Sequence, residues 1–213
     1  MGIFAFIVTV IASIIDRFYG MGAVRRRRAM SAAARRLGLQ YLPGDPYNLP
    51  RLHGHMPAFG VGRSRRAYNM LRGNAGGHLL LLTDYKYFFG TQSIRRTFYR
   101  TYCLLYSDKV FGDLYVRPEG FLEKVAEAAG FDDIDFESKE FNDMFYVRSN
   151  NKRFAYDIIN PRMMDYLAGC PGLHLEFSGD VMLAHYNRRL KPRQIEPLVR
   201  VVKGIAGIIP TYL

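Results

Sequence analysis

The chain has 213 residues, 49% of them hydrophobic, a composition that excludes a disordered protein and suits one sizeable domain or two small ones. Its net charge is +11, with 30 Lys and Arg against 19 Asp and Glu. The charge is uneven: residues 1–117 carry 18 basic and 5 acidic side chains (+13), and residues 118–213 carry 12 and 14 (−2), so the first half is the part that attracts anionic partners.

The run Gly2 to Ile15 has no charge and no proline, and after Asp16-Arg17 an apolar stretch resumes through Val24. A helix from Ile3 to Val24 is long enough to cross a hydrocarbon core, with Phe4, Phe6, Ile7, Ile11 and Ile14 toward lipid and Phe18 and Tyr19 at the interface. Arg25, Arg26, Arg27 and Arg28 follow it and favour the cytoplasmic side. A signal peptide fits less well, because the charge follows the apolar core and no small-residue cleavage site precedes the arginines. A helix lying in the interface fits less well too, because it would have a poor polar face before Asp16. The reading is a single transmembrane anchor at residues 1–24, with Arg25–Arg28 as a collar on anionic lipid.

Arg25 to Leu37 is rich in Ala, Arg and Met and predicts a basic helix stopped by Gly38. Tyr41 to Pro57 contains Pro43, Pro46, Pro50 and Pro57 and predicts a linker wrapped on the domain, with a short strand or turn at most. The pattern then changes to strand period. Asn74-Ala75-Gly76-Gly77 separates two strand-like runs and predicts a hairpin. Residues 93–107 and 111–118 predict further strands, and Pro118 to Gly130 a helix. FDDIDFES and FNDMFYVRS predict strands, residues 161–169 a short helix, and residues 173–187 a hairpin around Ser178-Gly179-Asp180. Arg193 to Ile209 predicts an amphipathic helix with Pro197 in its first turn.

The residues that suggest chemistry are few. His53 and His55 alternate and could converge on a metal, but the sequence offers no third ligand, and His78, His174 and His185 stand singly. Asp84, between strand residues, suits an acid or base only if a pocket and partner accompany it; bonding to a turn amide or an arginine such as Arg95 is the plainer reading. The acids from Asp132 to Glu140 lack the spacing of a calcium loop and read as a solvated face. Arg72 to Gly77 lacks the Gly-Lys-Ser/Thr ending of a phosphate loop. Cys103 and Cys170 have no evident base and read as reduced, buried thiols. No cofactor and no metal is expected. Arg63, Arg65, Arg66, Arg95, Arg96 and Arg100 interleave with tyrosines, a mixture that suits phosphorylated headgroups, acidic protein surfaces or single-stranded nucleic acid. No RNP, zinc-finger or helix-turn-helix pattern accompanies it, so nucleic acid is not the expected partner.

Taken together, YNMLRGNAGGHLLLLTDYKYFFG, TFYRTYCLLYSD, LYVRPEGFLEKV, FNDMFYVRSNNKRFAYDIINPRMMDYL and the final strand hairpin resemble a group of bacterial membrane-anchored proteins built on a domain of unknown function. The group's pattern corresponds here to Ala34 to Tyr41 and to Thr83-Asp84-Tyr85-Lys86-Tyr87, with Thr83 where the group has an aromatic. The resemblance implies a membrane-associated α+β module and no reaction.

The expected architecture is an anchor (1–24), a basic helix with a Pro-rich linker (25–57) and a cytoplasmic α+β domain (58–213) with a mainly antiparallel sheet. The expected function is a non-catalytic accessory subunit at a bacterial inner or intracytoplasmic membrane. It would bind the cytoplasmic face of an integral-membrane complex, such as a respiratory or photosynthetic assembly, through Arg63 to Arg100. Two readings stand beside it: a module that binds anionic lipid headgroups, and an enzyme with a site near His53, His55 and Asp84.

Overall fold

The computed structural model describes residues 21–91, 94–120 and 132–213. Its frame is an antiparallel sheet that begins with β1 (Gln40–Leu42), β2 (Arg63–Ala75) and β3 (His78–Gly90). The β2–β3 turn lies at Gly76-Gly77, both at positive φ (63° and 92°). A two-residue turn that matches strand twist requires that backbone, which explains the paired glycines. β3 then pairs with β4 (Arg95–Pro118) from Gly90↔Arg95 to Leu80↔Leu105. The two strands expected at 93–107 and 111–118 are thus one continuous run of extended chain.

Beyond β4 the sheet is nested. β7 (His174–His185) is twelve residues long, yet the rings of its first and last residues stack 4.6 Å apart. An extended segment of that length would separate them by roughly 35 Å, so β7 folds back on itself at Gly179, whose φ is +58°. This is the expected hairpin. One arm pairs with the start of β4 (Tyr102↔His185 to Tyr106↔Val181) and the other with its end (Phe111↔Gly179 to Val116↔Leu175). The hairpin therefore sits between the two halves of β4. The second half of β4 pairs with β6 (Phe145–Ser149), and β6 with β5 (Asp132–Asp133).

Alternation of side chains gives the sheet two apolar faces. Leu80, Leu82, Cys103, Leu105, Met182 and Ala184 bury one, under Met30, Ala33, Ala34 and the stripes of α6 (Pro161–Ala168) and α7 (Ile195–Ala206). Ile195, Leu198, Val199, Val202 and Ile205 supply the α7 stripe, with Pro197 in the first turn as expected. Leu81, Tyr85, Tyr102, Leu104, Val181 and Leu183 bury the other face, under α2 (Leu49–Leu52) and α3 (Pro57–Gly60). The proline-rich stretch thus packs as two short helices, with Leu49, Met56 and Phe59 fully buried. Prolines in their first turns fit, because those positions have no intrahelical N–H bond to lose. Two further helices, α4 (Lys139–Met144) and α5 (Lys152–Ile158), flank β6, so the first part of FNDMFYVRS, expected as strand, is helical over residues 141–144. The helix expected over Pro118 to Gly130 falls mainly outside the described residues.

The N-terminal helix corrects the expected architecture. Residues 21–37 form one helix, α1, and the four arginines lie within it. Among the described residues no helix is long and apolar enough to cross a membrane. Phe4, Phe6, Ile7, Ile11, Ile14, Phe18 and Tyr19 lie outside the described residues. The physical reason is charge: the helix carries Arg25–Arg28, Arg35 and Arg36, and one of them, Arg26, docks it on the sheet. Its Nε and Nη2 bond the Asp84 carboxylate at 2.8 and 2.6 Å, and its Nη1 donates to the Leu190 carbonyl at 2.8 Å. The helix is docked on the sheet by a residue expected to face lipid. Further along, Leu39 packs on Gly73, where any side chain would collide with it.

Asp84 is completely buried, so removing its cation leaves an uncompensated charge. Arg26→Ala is expected to destabilise the fold by about 3–5 kcal/mol in urea titration, whereas Arg27→Ala, at an exposed position on the same turn, should change it by less than about 0.5 kcal/mol.

Candidate functional site

The arginines singled out in the sequence meet at one end of the sheet. Register places Arg63 beside Phe88, Arg66 beside Lys86, Arg95 beside Gly90 and Arg96 beside Phe89. Arg65 is tied to the domain by a 2.7 Å bond from its Nη1 to the Phe59 carbonyl. The chain leaving β7 adds two cations that the sequence reading did not include, Arg188 and Arg189. The Arg188 carbonyl accepts the Thr101 N–H at 3.2 Å, and the Arg189 guanidinium lies 4.9 Å from the centre of the Tyr99 ring. Only the β4–β7 pairing reveals them, because they are far away in sequence.

Aromatic rings hold these guanidiniums in place. Arg95 sits 3.5 Å over Phe88, Arg96 5.0 Å over Phe98, and Arg100 5.6 Å from both Tyr87 and Phe98. Phe98 stacks on Tyr87 and meets Phe89 edge-on. Such contacts fix the charges without neutralising them. Among the described residues none of these arginines pairs with a carboxylate. The end therefore presents concentrated positive charge beside exposed Phe89, Ile94 and Tyr99.

The collar belongs partly to the same end. α1 runs from Arg26, over Asp84, to Leu39 on Gly73, which pairs with Leu80. Its preceding residues therefore point toward Gly90 and Arg95. Arg25, Arg27 and Arg28 are exposed, while Arg26 is turned inward. One residue in four faces the core because successive helix positions rotate by about 100°.

Arg26 closes a ring of hydrogen bonds. Thr101 Oγ1 donates to Asp84 Oδ1 at 3.1 Å and accepts from the Leu190 N–H at 3.0 Å, while the Leu190 carbonyl accepts from Arg26. Asn69 Nδ2 adds a bond of 3.1 Å to Asp84 Oδ2. A turn amide or an arginine such as Arg95 is the partner the sequence suggests for Asp84; the partner is an arginine, Arg26, which is distant in sequence.

The structure does not bring Asp84 and His53 together in one site. Asp84 shares a sheet face with Leu80 and Leu82, beneath α1. His53 lies on the opposite face, its Nε2 2.7 Å from the Tyr106 hydroxyl and its ring against Phe59. His53 is buried and held below the ordinary histidine pKa, chiefly by burial and then by His55. The His53 and His55 ring centres are 6.1 Å apart, and among the described residues no three His, Cys, Asp or Glu side chains cluster as metal ligands. Cys103 and Cys170 are free and buried, and burial pushes the Cys103 thiol up to about 12. Asp135, Glu137 and Glu140 are exposed.

A buried polar row lies under α3. Glu176 accepts the Ala58 N–H with both oxygens, at 3.0 and 3.2 Å. The Tyr102 hydroxyl donates to the Ala58 carbonyl at 2.7 Å, and the Tyr85 hydroxyl to the Phe59 carbonyl at 3.2 Å. Beside them stack His174 and His185, which stand singly in the sequence. Burial, followed by Arg100 and Arg117, lowers His174 to about 4; burial and His174 hold His185 well below the ordinary range.

No family model matches the chain, and no curated protein matches it. Among solved structures it is similar to the crystal structure of the mycobacterial trehalose monomycolate transport factor A, TtfA, with a TM-score of 0.63 and 14% identity, covering 86% of this chain and 96% of that one. At that identity the likeness is one of fold.

The histidine pair sets an acid limit on the domain. An unfolded histidine takes a proton near pH 6.5, and the folded His174 only near 4, so the unfolded chain binds more protons between those values. The pair's contribution is complete above about pH 6.5 and is lost as pH falls toward 4. The urea midpoint should drop over that window. His174→Gln should flatten the drop relative to wild type, since the carboxylates titrate in both proteins.

Proposed function

We propose that this protein is a non-catalytic accessory factor that works at the cytoplasmic surface of a bacterial membrane. There it supports a larger integral-membrane assembly of the transport kind. The observation that carries the reading is the basic, aromatic-braced end of the sheet, with guanidiniums fixed in position and no carboxylate partner among the described residues. Charge held open in this way suits an anionic surface.

Other features support the same reading. Two of the side chains that suggested chemistry are engaged in holding the fold: Asp84 with Arg26 and His53 with Tyr106. The fold is similar to that of a protein named as a transport factor. The resemblance to bacterial membrane-anchored modules points the same way.

The test is gentle extraction of the full chain from its native membrane, followed by native sizing and mass spectrometry. The expected result is a species larger than the monomer that contains integral-membrane subunits. Its yield should fall severalfold when Arg63, Arg66, Arg95 and Arg96 are all replaced by Gln. A lone monomer under every extraction condition would remove the accessory reading.

A further inference from the structure

The basic end also carries apolar side chains at its outermost points, which an acidic protein face alone does not account for. Ile94 is 79% exposed and Phe89 48% exposed, and both stand beside Arg95 and Arg96. Tyr99, 41% exposed, lies under Arg189. Carboxylates on a partner would pair the guanidiniums and leave Ile94 and Phe89 against polar surface. A bilayer surface satisfies both kinds of group at one depth, with phosphates meeting the arginines and the glycerol and upper acyl region meeting the apolar tips.

A second observation is independent of the sheet. α1 points its start toward this same end, with Met21 and Val24 exposed beside Arg25, Arg27 and Arg28. The sequence upstream is uncharged from Gly2 to Ile15. Only the few residues between Ile15 and Met21 join that stretch to the helix, which limits their separation to about 20 Å. The most apolar segment of the sequence is thus tethered to the most basic end of the domain. Both features are met together at the boundary between headgroups and hydrocarbon.

We infer that the end of the sheet carrying Arg63, Arg66, Arg95 and Arg96 sits directly on anionic phospholipid headgroups, with Ile94 and Phe89 entering the interface. This rests on the accessory reading above and names the surface that the basic end meets. It also orients the domain: the bend of β4 near Val110, at the far end of the sheet, points away from the bilayer.

The chain contains no tryptophan, so one introduced indole reports its own surroundings without background. Ile94→Trp in the full chain, mixed with phosphatidylcholine vesicles containing phosphatidylglycerol, should give a blue-shifted emission that bromine-labelled lipid quenches. Val110→Trp, at a position 84% exposed at the far end, should keep a solvent-like emission with the same vesicles. Adding Arg63→Gln, Arg66→Gln, Arg95→Gln and Arg96→Gln should weaken the Ile94→Trp response by about fivefold per arginine, as should high salt. Lys203→Gln, exposed in the last turn of α7 and away from this end, should leave it unchanged.

A solvent-like Ile94→Trp emission on vesicles that still carry the protein overturns the lipid assignment. So does a response to a single-stranded oligonucleotide in place of vesicles. The extraction experiment separates that failure from failure of the accessory reading. A membrane partner whose recovery depends on the four arginines would then mark the end as a protein interface and leave the accessory role standing.

Discussion

A carboxylate in the middle of an apolar sheet face must be given a cation and further donors, or it costs the fold several kcal/mol. Asp84 is that group, completely buried on β3. Arg26 meets it with two bonds, and Asn69 and Thr101 supply the others. The fork geometry of a guanidinium accepts one approach, so the pair fixes both the rotation and the axial position of α1. Through Thr101 and Leu190 the same ring fastens β4 and the chain leading into α7. The outward positions of Arg25, Arg27 and Arg28 follow from it, as does the direction in which the start of α1 points.

Much of the sheet was legible because its signals are local. The paired glycines of the β2–β3 turn, the turn at Gly179 and the apolar stripe of α7 each lie within a short window. The accessory helices were less so. Four prolines read as a linker, yet Leu49, Met56 and Phe59 between them carry enough apolar surface to pack on the tyrosine face of the sheet. Tertiary burial there outweighs weak local propensity. Nor did FNDM read as helix, because its N-cap, Ser138, whose hydroxyl accepts the Phe141 N–H at 3.2 Å, falls at the end of the segment FDDIDFES expected as a strand.

The candidate site shows the same division. The strand arginines and their aromatic neighbours were visible as a sequence pattern; the sheet brings them to one end, with neighbours such as Arg95 and Arg96 on opposite faces. Arg188 and Arg189 join only through the register of β7 on β4. Arg26 was misassigned because a run of four arginines looks uniformly solvated in one dimension. Helical rotation selects one of them, and only the position of Asp84 decides which. The stacking of His174 on His185 likewise depends on where the hairpin turns, since a shift of one residue would separate the rings.

The nesting of β7 within β4 bears on how the chain is built during synthesis. β1 to β3 and the first half of β4 emerge first and pair along β3. At that stage the first half of β4 presents a free edge of unpaired backbone groups. Its neighbour on that side is the arm of β7 ending at His185, 83 residues later than its partner Tyr102. The middle of the sheet is thus closed by a late hairpin that threads between two strands already made. Contacts so distant in sequence slow folding and prolong exposure of the edge. The nascent domain is most vulnerable to pairing with a second chain at the strand that becomes its centre.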